Sequence, residues 1–492
     1  MSNGSLKNIA WNSFGYIVPI VVTIVIIPVT IKILGVEKFG TLSFLWMLVG
    51  YSSFLDMGVG RALTHYIATT VSTENEKFIV GIVKRTIARL FLCLFIILAV
   101  GMVGSVIYLY VKNGHLDGLM YAAVVMVISC TVITASALRG VLEGFQAFKS
   151  IGISRVIVGI LISVSPVIVF SLSDSLLWVF FIFFVIRLFE SSIYLWLAND
   201  NCKKLTQQFT PAMPNLKNIF HFGIWSNITN LVGAPMAAAY LDKFLIVTLL
   251  GATSLTYYTV PFDIMARFLI LPAILTGVLF PLLSKGGGLN NRVFITNLGL
   301  NTLALTILPI FVVAISLSKL GLTLWLGNIG EKMFVILSIL AIGKFCESLN
   351  FVLLTSIQSF GRPDLTAKRH IVELPFYTAI MFLGIKYYGL MGVAITWCGW
   401  AIIDLAFLHY IYNNINGATS IMQGISKIKI CYYAIIFGCC LYVSILLQDR
   451  YSLQMVSAGV IILFHLIMSW CFLLDDLSKQ EIIKKYYVLR NK

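Results

Sequence analysis

Long apolar runs separated by short polar gaps fill most of the chain, and each run has few charged positions. A bilayer core of about 30 Å is crossed by about 20 apolar residues in a helix, because lipid offers no hydrogen-bond partner to an exposed backbone group. The pattern therefore predicts an all-α integral membrane protein with about fourteen transmembrane helices. The predicted spans are 9–33, 41–69, 87–110, 119–138, 151–171, 176–197, 219–250, 254–283, 294–316, 333–359, 370–386, 389–412, 428–447 and 453–474.

Composition favours the same class of protein. The chain is 59% hydrophobic and only 11% charged, too little charge to cover the surface of a soluble domain. A net charge of +15 would indicate a nucleic-acid partner only if the basic residues were clustered on one face. They lie instead in the gaps between apolar runs, as topology signals and contacts for anionic lipid do. We therefore expect membrane lipids, and no nucleic acid, as partners.

Charge in the gaps also predicts orientation and domains. Most gap Lys and Arg residues fall on the side that holds both termini, which the positive-inside rule assigns to the cytoplasm. The longest gap contains Pro211 and Pro214 and is typical of a linker between two six-helix halves. The predicted domains are an N-lobe at 1–197, a cytoplasmic linker at 198–218, a C-lobe at 219–412, helices 13 and 14 at 413–474 and a basic cytoplasmic tail at 475–492.

A short sequence echo connects the two halves. Leu34-Gly35 precedes an aromatic run at the entry to the second predicted span, and Leu250-Gly251 precedes a similar run at the entry to the eighth. Internal repeats of this kind are common in transporters. The motif is too short to establish a duplication by itself.

Motifs for catalysis or cofactor binding are missing from the sequence. It contains no GxxxxGK[ST] phosphate loop, no HExxH, no serine elbow and no CxxC among its nine cysteines. A membrane-embedded sugar polymerase or ligase would also need a sizeable outward loop, and the predicted outer gaps are short. We therefore predict that the protein is not an enzyme and that it has no cofactor or metal.

Ionisable residues lie inside several predicted spans, where each costs several kcal/mol unless it faces a protein interior or a watery cavity. Three pairs of opposite charge are three or four positions apart, which places each pair on one face of a helix. Either the partners neutralise each other between helices or they mark a functional site, and both alternatives stay open here. The pairs are Arg187 with Glu190, Asp263 with Arg267, and Lys344 with Glu347.

Arg61 differs because positions 57, 58, 64 and 65 hold Met, Gly, Thr and His, so its own helix offers no carboxylate at pairing distance. We predict that it is a cation that receives an anion. His65 lies one turn further on the same face and is either titratable or simply packed. Asp56 points elsewhere, towards a partner on another helix. Asp242 and Lys243 lie in the outer part of the seventh span.

Several of these residues belong to family-like stretches. The segments LGVEKFGTLSF (34–44) and LDMGVGRALTHYIA (55–68) resemble the first signature of the Wzx-type polysaccharide flippases of the multidrug/oligosaccharidyl-lipid/polysaccharide superfamily. Further similar stretches are YLDKFLIVTLLG (240–251), YYTVPFDI (257–264) and GRPDLTAKRHIVELPFY (361–377).

The resemblance continues through YGLMGVAITW (388–397) to Asp404 and ends near residue 412. Relatives often carry a basic residue between the positions of Trp397 and Asp404, where this chain has Cys398, Gly399 and Trp400. We therefore expect Asp404 to lack its usual partner.

The resemblance implies a MATE/MOP-like fold, with two six-helix lobes in a V, two extra C-terminal helices and alternating access. Its implied cargo is an undecaprenyl-diphosphate-linked oligosaccharide, moved to the periplasmic leaflet of the bacterial inner membrane for O-antigen or capsule synthesis. Polysaccharide polymerase and chain-length machinery are the implied protein partners. The implied substrate-binding cations are Arg61, Arg187, Lys243, Arg267 and Lys344. The coupling or ion-pair candidates are Asp56, His65, Glu190, Asp242, Asp263, Glu347 and Asp404.

Two relatives in the same superfamily supply alternative functions. A multidrug or cation exporter would bind organic cations through unpaired carboxylates and aromatic rings, which the lone Arg61 and the basic interior disfavour. A lipid II flippase would also have fourteen helices but carry the cell-wall precursor. Aromatic residues such as Trp225, Tyr258 and Trp397 could stack on sugar faces, although belt or packing roles explain them equally well.

Overall fold

The computed structural model describes residues 3–51, 60, 63, 64, 67, 116–203, 235–284, 289–360, 363–416, 427–447 and 450–469. All regular structure in these ranges is helical. The helices are α1 (Asn3–Tyr51), α2 (Leu116–Gly144), α3 (Phe148–Leu172), α4 (Leu176–Lys203), α5 (Pro235–Leu250), α6 (Ala252–Arg267), α7 (Ile270–Ser284), α8 (Leu289–Ser316), α9 (Ser318–Leu326), α10 (Asn328–Glu331), α11 (Phe334–Ser359), α12 (Pro363–Asn416), α13 (Lys427–Leu446) and α14 (Tyr451–Met468).

Nine helical segments within the described ranges are long and apolar enough to cross a bilayer, and α13 adds a shorter apolar helix. The predicted all-α membrane fold is thereby confirmed. The count of about fourteen spans stays a prediction, because the third predicted span and most of the linker lie outside the described residues.

Two helices are long because each contains a bend at a glycine. Gly35 in α1 has φ 79° and Gly389 in α12 has φ 55°, a left-handed backbone that side chains with a Cβ rarely adopt. The bend at Gly35 falls between the first two predicted spans, and the bend at Gly389 falls at the first residue of the twelfth predicted span. The apolar pattern and the glycine together therefore locate both turns.

The predicted eighth span, 254–283, corresponds to one apolar segment, Ala252–Phe280, that is long enough to cross a bilayer. It is divided into α6 and α7 at residues 268 and 269, where the amides of Phe268 and Leu269 bond to carbonyls three residues earlier. Pro272 has no amide hydrogen to continue the helical ladder, so α6 ends in this tight turn. The predicted outer gap after residue 316 also contains structure, since α9 and α10 lie there.

The chain divides into two compact units, one of residues 1–247 with 251–256 and one of residues 257–492 with 248–250. In the first unit, α1 lies directly against α3 because glycines remove the intervening side chains: a Cβ on Gly152 would lie 2.6 Å from the Trp11 carbonyl oxygen. In the second unit, α11 is the most deeply buried of the described spans. The predicted lobe boundaries stay predictions, because residues 204–234 lie outside the described part of the chain.

The two Leu-Gly segments of the sequence echo meet in the first unit. Gly251 has φ 85°, like its counterpart Gly35. Thr256 Oγ1 donates a hydrogen bond of 2.7 Å to the carbonyl oxygen of Val36. A Cβ on Gly40 would lie 1.9 Å from the carbonyl oxygen of Ala252.

The same sequence offset separates Gly35 from Gly251, Val36 from Ala252 and Gly40 from Thr256. The contact is therefore reciprocal, as contacts across a two-fold axis are. Gly40, six residues after Leu34, lies against the carbonyl of Ala252. Thr256, six residues after Leu250, lies against the carbonyl of Val36. This arrangement supports the internal duplication more strongly than the sequence echo does. We call this contact the glycine seam.

We expect Gly40→Ala to destabilise the protein, because the new methyl group would overlap the Ala252 carbonyl oxygen at 1.9 Å. Overpacking of this kind costs about 1–3 kcal/mol. The matched control is Gly277→Ala, since a Cβ there would meet nothing within 4 Å. Thermal unfolding of the purified protein in detergent should show a lower midpoint for Gly40→Ala alone. Equal midpoints for the two variants would contradict the tight seam.

Candidate functional site

In the first unit, a buried ion pair lies on α4. Arg187 Nη1 is 2.6 Å from Glu190 Oε2, and the two side chains are 19% and 9% exposed. The Arg187 guanidinium also lies 5.6 Å from the ring centre of Trp46 on α1. The three-residue spacing places both side chains on one helical face, as the sequence indicates. Arg187 is therefore a neutralised cation rather than a free one.

Lys344 on α11 forms the equivalent pair in the second unit. Its Nζ is 2.7 Å from Glu347 Oε2, and its side chain is 3% exposed. The same ammonium lies 4.1 Å from the ring centre of Phe262 and 4.3 Å from that of Trp397. The two rings contact edge to face at 5.3 Å. Cation–π attraction of this kind strengthens when water is excluded, so the rings and the carboxylate together hold Lys344 in place.

Two of the aromatic residues that could stack on sugar, Tyr258 and Trp397, lie among the described residues. Trp397 is 6% exposed and Tyr258 is fully buried. Tyr258 packs on Phe262 with their ring centres 5.5 Å apart. Both residues are therefore used in packing within the second unit, the alternative that the sequence left open.

The third predicted pair, Asp263 with Arg267, is not present as an ion pair. Arg267 is the last residue of α6, so it lies at the C-terminal end of that helix. A cation in this position interacts favourably with the carbonyl end of the helix. Asp263 is not free, since it interacts with another residue.

Asp242 and Lys243 on α5 are also engaged. Asp242 is fully buried, whereas Lys243 is half-buried. The three remaining candidates, Asp56, Arg61 and His65, lie outside the described residues. Their proposed roles stay predictions.

The expectation that Asp404 lacks a partner was wrong. Its Oδ1 accepts a hydrogen bond from Arg369 Nη2, and its Oδ2 accepts one of 2.7 Å from Asn350 Nδ2. The partner thus comes from the first half of α12, before the bend at Gly389, and not from the residues between Trp397 and Asp404. Because α12 bends at Gly389, Asp404 pairs with Arg369, which is 35 positions earlier in the chain, and not with a residue nearby in sequence.

Arg369 is the centre of a polar cluster that the sequence prediction missed. Its Nε is 3.0 Å from Glu373 Oε1, and its side chain is only 3% exposed. His370 Nδ1 is 3.5 Å from Glu373 Oε2. We call Asn350, Arg369, His370, Glu373 and Asp404 the Arg369 cluster.

A boundary error explains the omission. The eleventh span was predicted to start at 370, so Arg369 was counted as a topology signal in the preceding gap, whereas α12 begins at Pro363. The four-residue spacing from Arg369 to Glu373 is the same signal that identified the other pairs. Applied one residue earlier, it would have found the pair of Arg369 and Glu373.

We expect a strong thermodynamic coupling between Arg369 and Asp404. Removing one member of a buried ion pair leaves an uncompensated charge and costs about 3–5 kcal/mol. Arg369→Gln should therefore lower the free energy of unfolding strongly, because both carboxylates lose their partner, whereas Asp404→Asn leaves Arg369 paired with Glu373 and should cost less. The cost of Arg369→Gln should also be smaller when residue 404 is already Asn. The measurement is a double-mutant cycle on unfolding in detergent.

The matched control is the pair of Lys38 and Asp174, which are 2.6 Å apart but 41% and 82% exposed. Exposed pairs contribute about 0–1 kcal/mol, so Lys38→Gln and Asp174→Asn should show little coupling. Additive effects of the Arg369 and Asp404 substitutions would show that the buried contact does not stabilise the fold.

Comparison with solved structures shows the fold. The lipid II flippase MurJ in an inward closed conformation superposes with a TM-score of 0.65 at 13% identity, over 93% of this chain and 98% of that one. An inward-facing MATE-family multidrug resistance transporter of the MOP superfamily gives a TM-score of 0.65 at 14% identity, over 83% of this chain and all of that one. At such low identity, the likeness establishes architecture and not cargo.

Sequence comparison adds the family. A Shigella flexneri protein described as "Putative O-antigen transporter" is 27% identical over 410 residues, which are 83% of this chain and 97% of that protein. The profile of the family described as "Polysaccharide biosynthesis protein" matches residues 5–286, more than half of the chain. This multi-pass, all-helical membrane protein therefore belongs to the polysaccharide biosynthesis protein family.

Proposed function

We propose that the protein is a flippase that moves an undecaprenyl-diphosphate-linked oligosaccharide repeat unit from the cytoplasmic to the periplasmic leaflet, for synthesis of a surface polysaccharide such as O-antigen or capsule. The observation that carries this proposal is the family match together with the O-antigen transporter relative, which aligns over 83% of this chain. MurJ, which is described as a lipid II flippase, has the same fold.

The chemistry of the cargo explains why a protein is needed. Each sugar hydroxyl that enters hydrocarbon without a hydrogen-bond partner costs a few kcal/mol, so spontaneous crossing is negligible. The polyprenyl tail can remain in lipid while the diphosphate and sugars follow a polar path between two lobes that open alternately. In this proposal the protein lies in the bacterial inner membrane with both termini in the cytoplasm, and it delivers cargo to the polysaccharide polymerase and chain-length machinery.

Buried ion pairs supply cations without the cost of unpaired charge. Arg187 and Lys344 are held by Glu190 and Glu347 at 2.6 and 2.7 Å. Phosphate oxygens form charge-assisted hydrogen bonds of comparable strength to those of carboxylates, so a diphosphate can compete for such a cation. Each pair then acts as a neutral resting state that opens towards cargo.

The membrane potential contributes to outward movement. Moving negative charge out of an inside-negative compartment releases about 2.3 kcal/mol per charge at 100 mV. Two phosphate charges would therefore provide roughly 4–5 kcal/mol, without ATP.

The direct test is movement of a fluorescent polyprenyl-diphosphate oligosaccharide by the purified protein in liposomes. Charge-assisted hydrogen bonds are roughly twice as strong as neutral ones, so we expect movement to require the diphosphate and to persist when the terminal sugar is changed. Loss of movement on that change would show that sugar recognition dominates. Transport of organic cations without movement of the lipid-linked sugar would instead establish the multidrug-exporter alternative.

Arg61 is the proposed diphosphate contact in the N-terminal half, because no carboxylate lies at pairing distance on its own predicted helix. We expect Arg61→Ala to abolish glycan export and Arg61→Lys to retain part of it, since lysine keeps the charge but loses the bidentate geometry. Lys32→Ala is the matched control, because Lys32 is exposed on α1. Export by cells lacking the native gene is the measurement. Normal export by Arg61→Ala at normal expression would refute this role.

A further inference from the structure

Three helical segments of the second unit meet at Arg369. The first half of α12 contributes Arg369, His370 and Glu373, the second half contributes Asp404, and α11 contributes Asn350. Asp404 lies 12 residues before the end of α12 at Asn416, about 18 Å at the helical rise of 1.5 Å per residue. Asp404 therefore lies within its predicted span, 389–412, whereas Arg369 lies one residue before the predicted start of the eleventh span and inside the apolar segment Lys368–Ile415.

Charge counting shows that the cluster is incomplete as it stands. Glu373 and Asp404 bring two negative charges, whereas Arg369 brings one positive charge. The side chains of the two carboxylates are 15% and 16% exposed. One uncompensated carboxylate at this degree of burial costs several kcal/mol. Some positive charge must therefore balance the second carboxylate.

Among the residues that the structure describes, the neighbouring groups do not provide that charge. The side chains that act electrostatically on Asp404 are Arg369, Glu373, His370 and Glu347. Glu347 is itself neutralised by Lys344 at 2.7 Å, so this pair adds no net charge. Lys368, next to Arg369 in sequence, is exposed. His370 is the one group in this set that can change from neutral to positive.

Hydrogen bonding also leaves places for a proton. Within the cluster, Glu373 Oε2 and Asn350 Oδ1 are buried acceptors with no hydrogen-bond partner among the described residues, and Arg369 Nε and Nη1 are buried donors with none. His370 Nδ1 lies 3.5 Å from that same Glu373 oxygen, and its ring nitrogens lie 3.5 Å from Arg369 Nη2. A proton on the His370–Glu373 pair would fill the missing bond and bring the net charge of the cluster to zero.

We propose that His370 and Glu373 share one exchangeable proton, and that the Arg369 cluster is a proton-binding site. The proton belongs to the pair rather than to either residue. With the proton bound, Arg369 is paired with Asp404. Without it, two carboxylates compete for one guanidinium, and the link between the two halves of α12 and α11 weakens. Proton binding is thereby connected to the contact across the bend at Gly389.

The role of this proton in transport rests on the proposed flippase function, but the proton site itself can be tested without cargo. Potentiometric titration of the purified protein in unbuffered detergent counts the protons released between about pH 5 and pH 9, where an ordinary carboxylate remains ionised. We expect Glu373→Gln to release about one proton fewer than wild type, because the cluster becomes neutral without His370 protonation.

Asp404→Asn provides an independent variant on the other half of α12. It removes the same charge, so we expect the same loss of about one proton, even if Glu373→Gln proves hard to purify. The matched control is Glu143→Gln, since Glu143 is a partly exposed carboxylate 3.7 Å from Arg139, and its proton count should equal that of wild type. Counts that are unchanged in both cluster variants would overturn the site, because His370 would then titrate independently of the carboxylates.

A second measurement tests the link to transport. In liposomes, a pH gradient should change the rate of movement of the fluorescent polyprenyl-diphosphate oligosaccharide several-fold for wild type and for Glu143→Gln, and Glu373→Gln should lose this response. A response to a sodium gradient in place of the pH gradient would overturn proton coupling. No movement of the lipid-linked sugar under any gradient would contradict the proposed function, whereas the titration would still decide the proton site.

Discussion

Lipid cannot solvate charge or form hydrogen bonds, and this constraint governs the whole protein. It requires every spanning backbone segment to satisfy its hydrogen bonds within the protein, which the described helices do. It also requires ionisable side chains inside the spans to be neutralised. Arg187, Lys344 and Arg369 each meet this requirement with a carboxylate close at hand. The buried charges of these three described cations are therefore organised around carboxylate partners.

Buried charges are neutralised in two ways, by local ion pairs and by a cluster of residues that are distant in sequence. The Arg187–Glu190 and Lys344–Glu347 pairs are local, three residues apart and individually neutral. The Arg369 cluster joins parts of the chain that are 35 and 54 positions apart, and it has one negative charge in excess. Local pairs can form as soon as a helix forms, whereas the cluster exists only when α11 and both halves of α12 are packed. The contacts of the Arg369 cluster are consequently more sensitive to a change in helix packing than those of the two local pairs.

Glycine has a structural role that complements these charges. Gly35 and Gly389 allow long helices to fold back, and Gly40 allows two backbones to touch at the glycine seam. Without a hydrophobic driving force between helices in lipid, close backbone approach at small residues is a main source of association. The seam also gives the short sequence echo a physical meaning, because its two copies contact each other reciprocally.

The sequence by itself determined the membrane class, most span positions within the described residues and two of the three predicted local ion pairs, because hydropathy and helical spacing act over a few turns. Only the tertiary structure decided that Asp404 pairs with Arg369, that Asp263 and Arg267 do not pair, and that Trp397 packs on Lys344. Those contacts depend on where a helix ends and on which helices become neighbours. Such long-range information is not carried by periodicity, and a one-residue error at the start of a span was enough to hide Arg369.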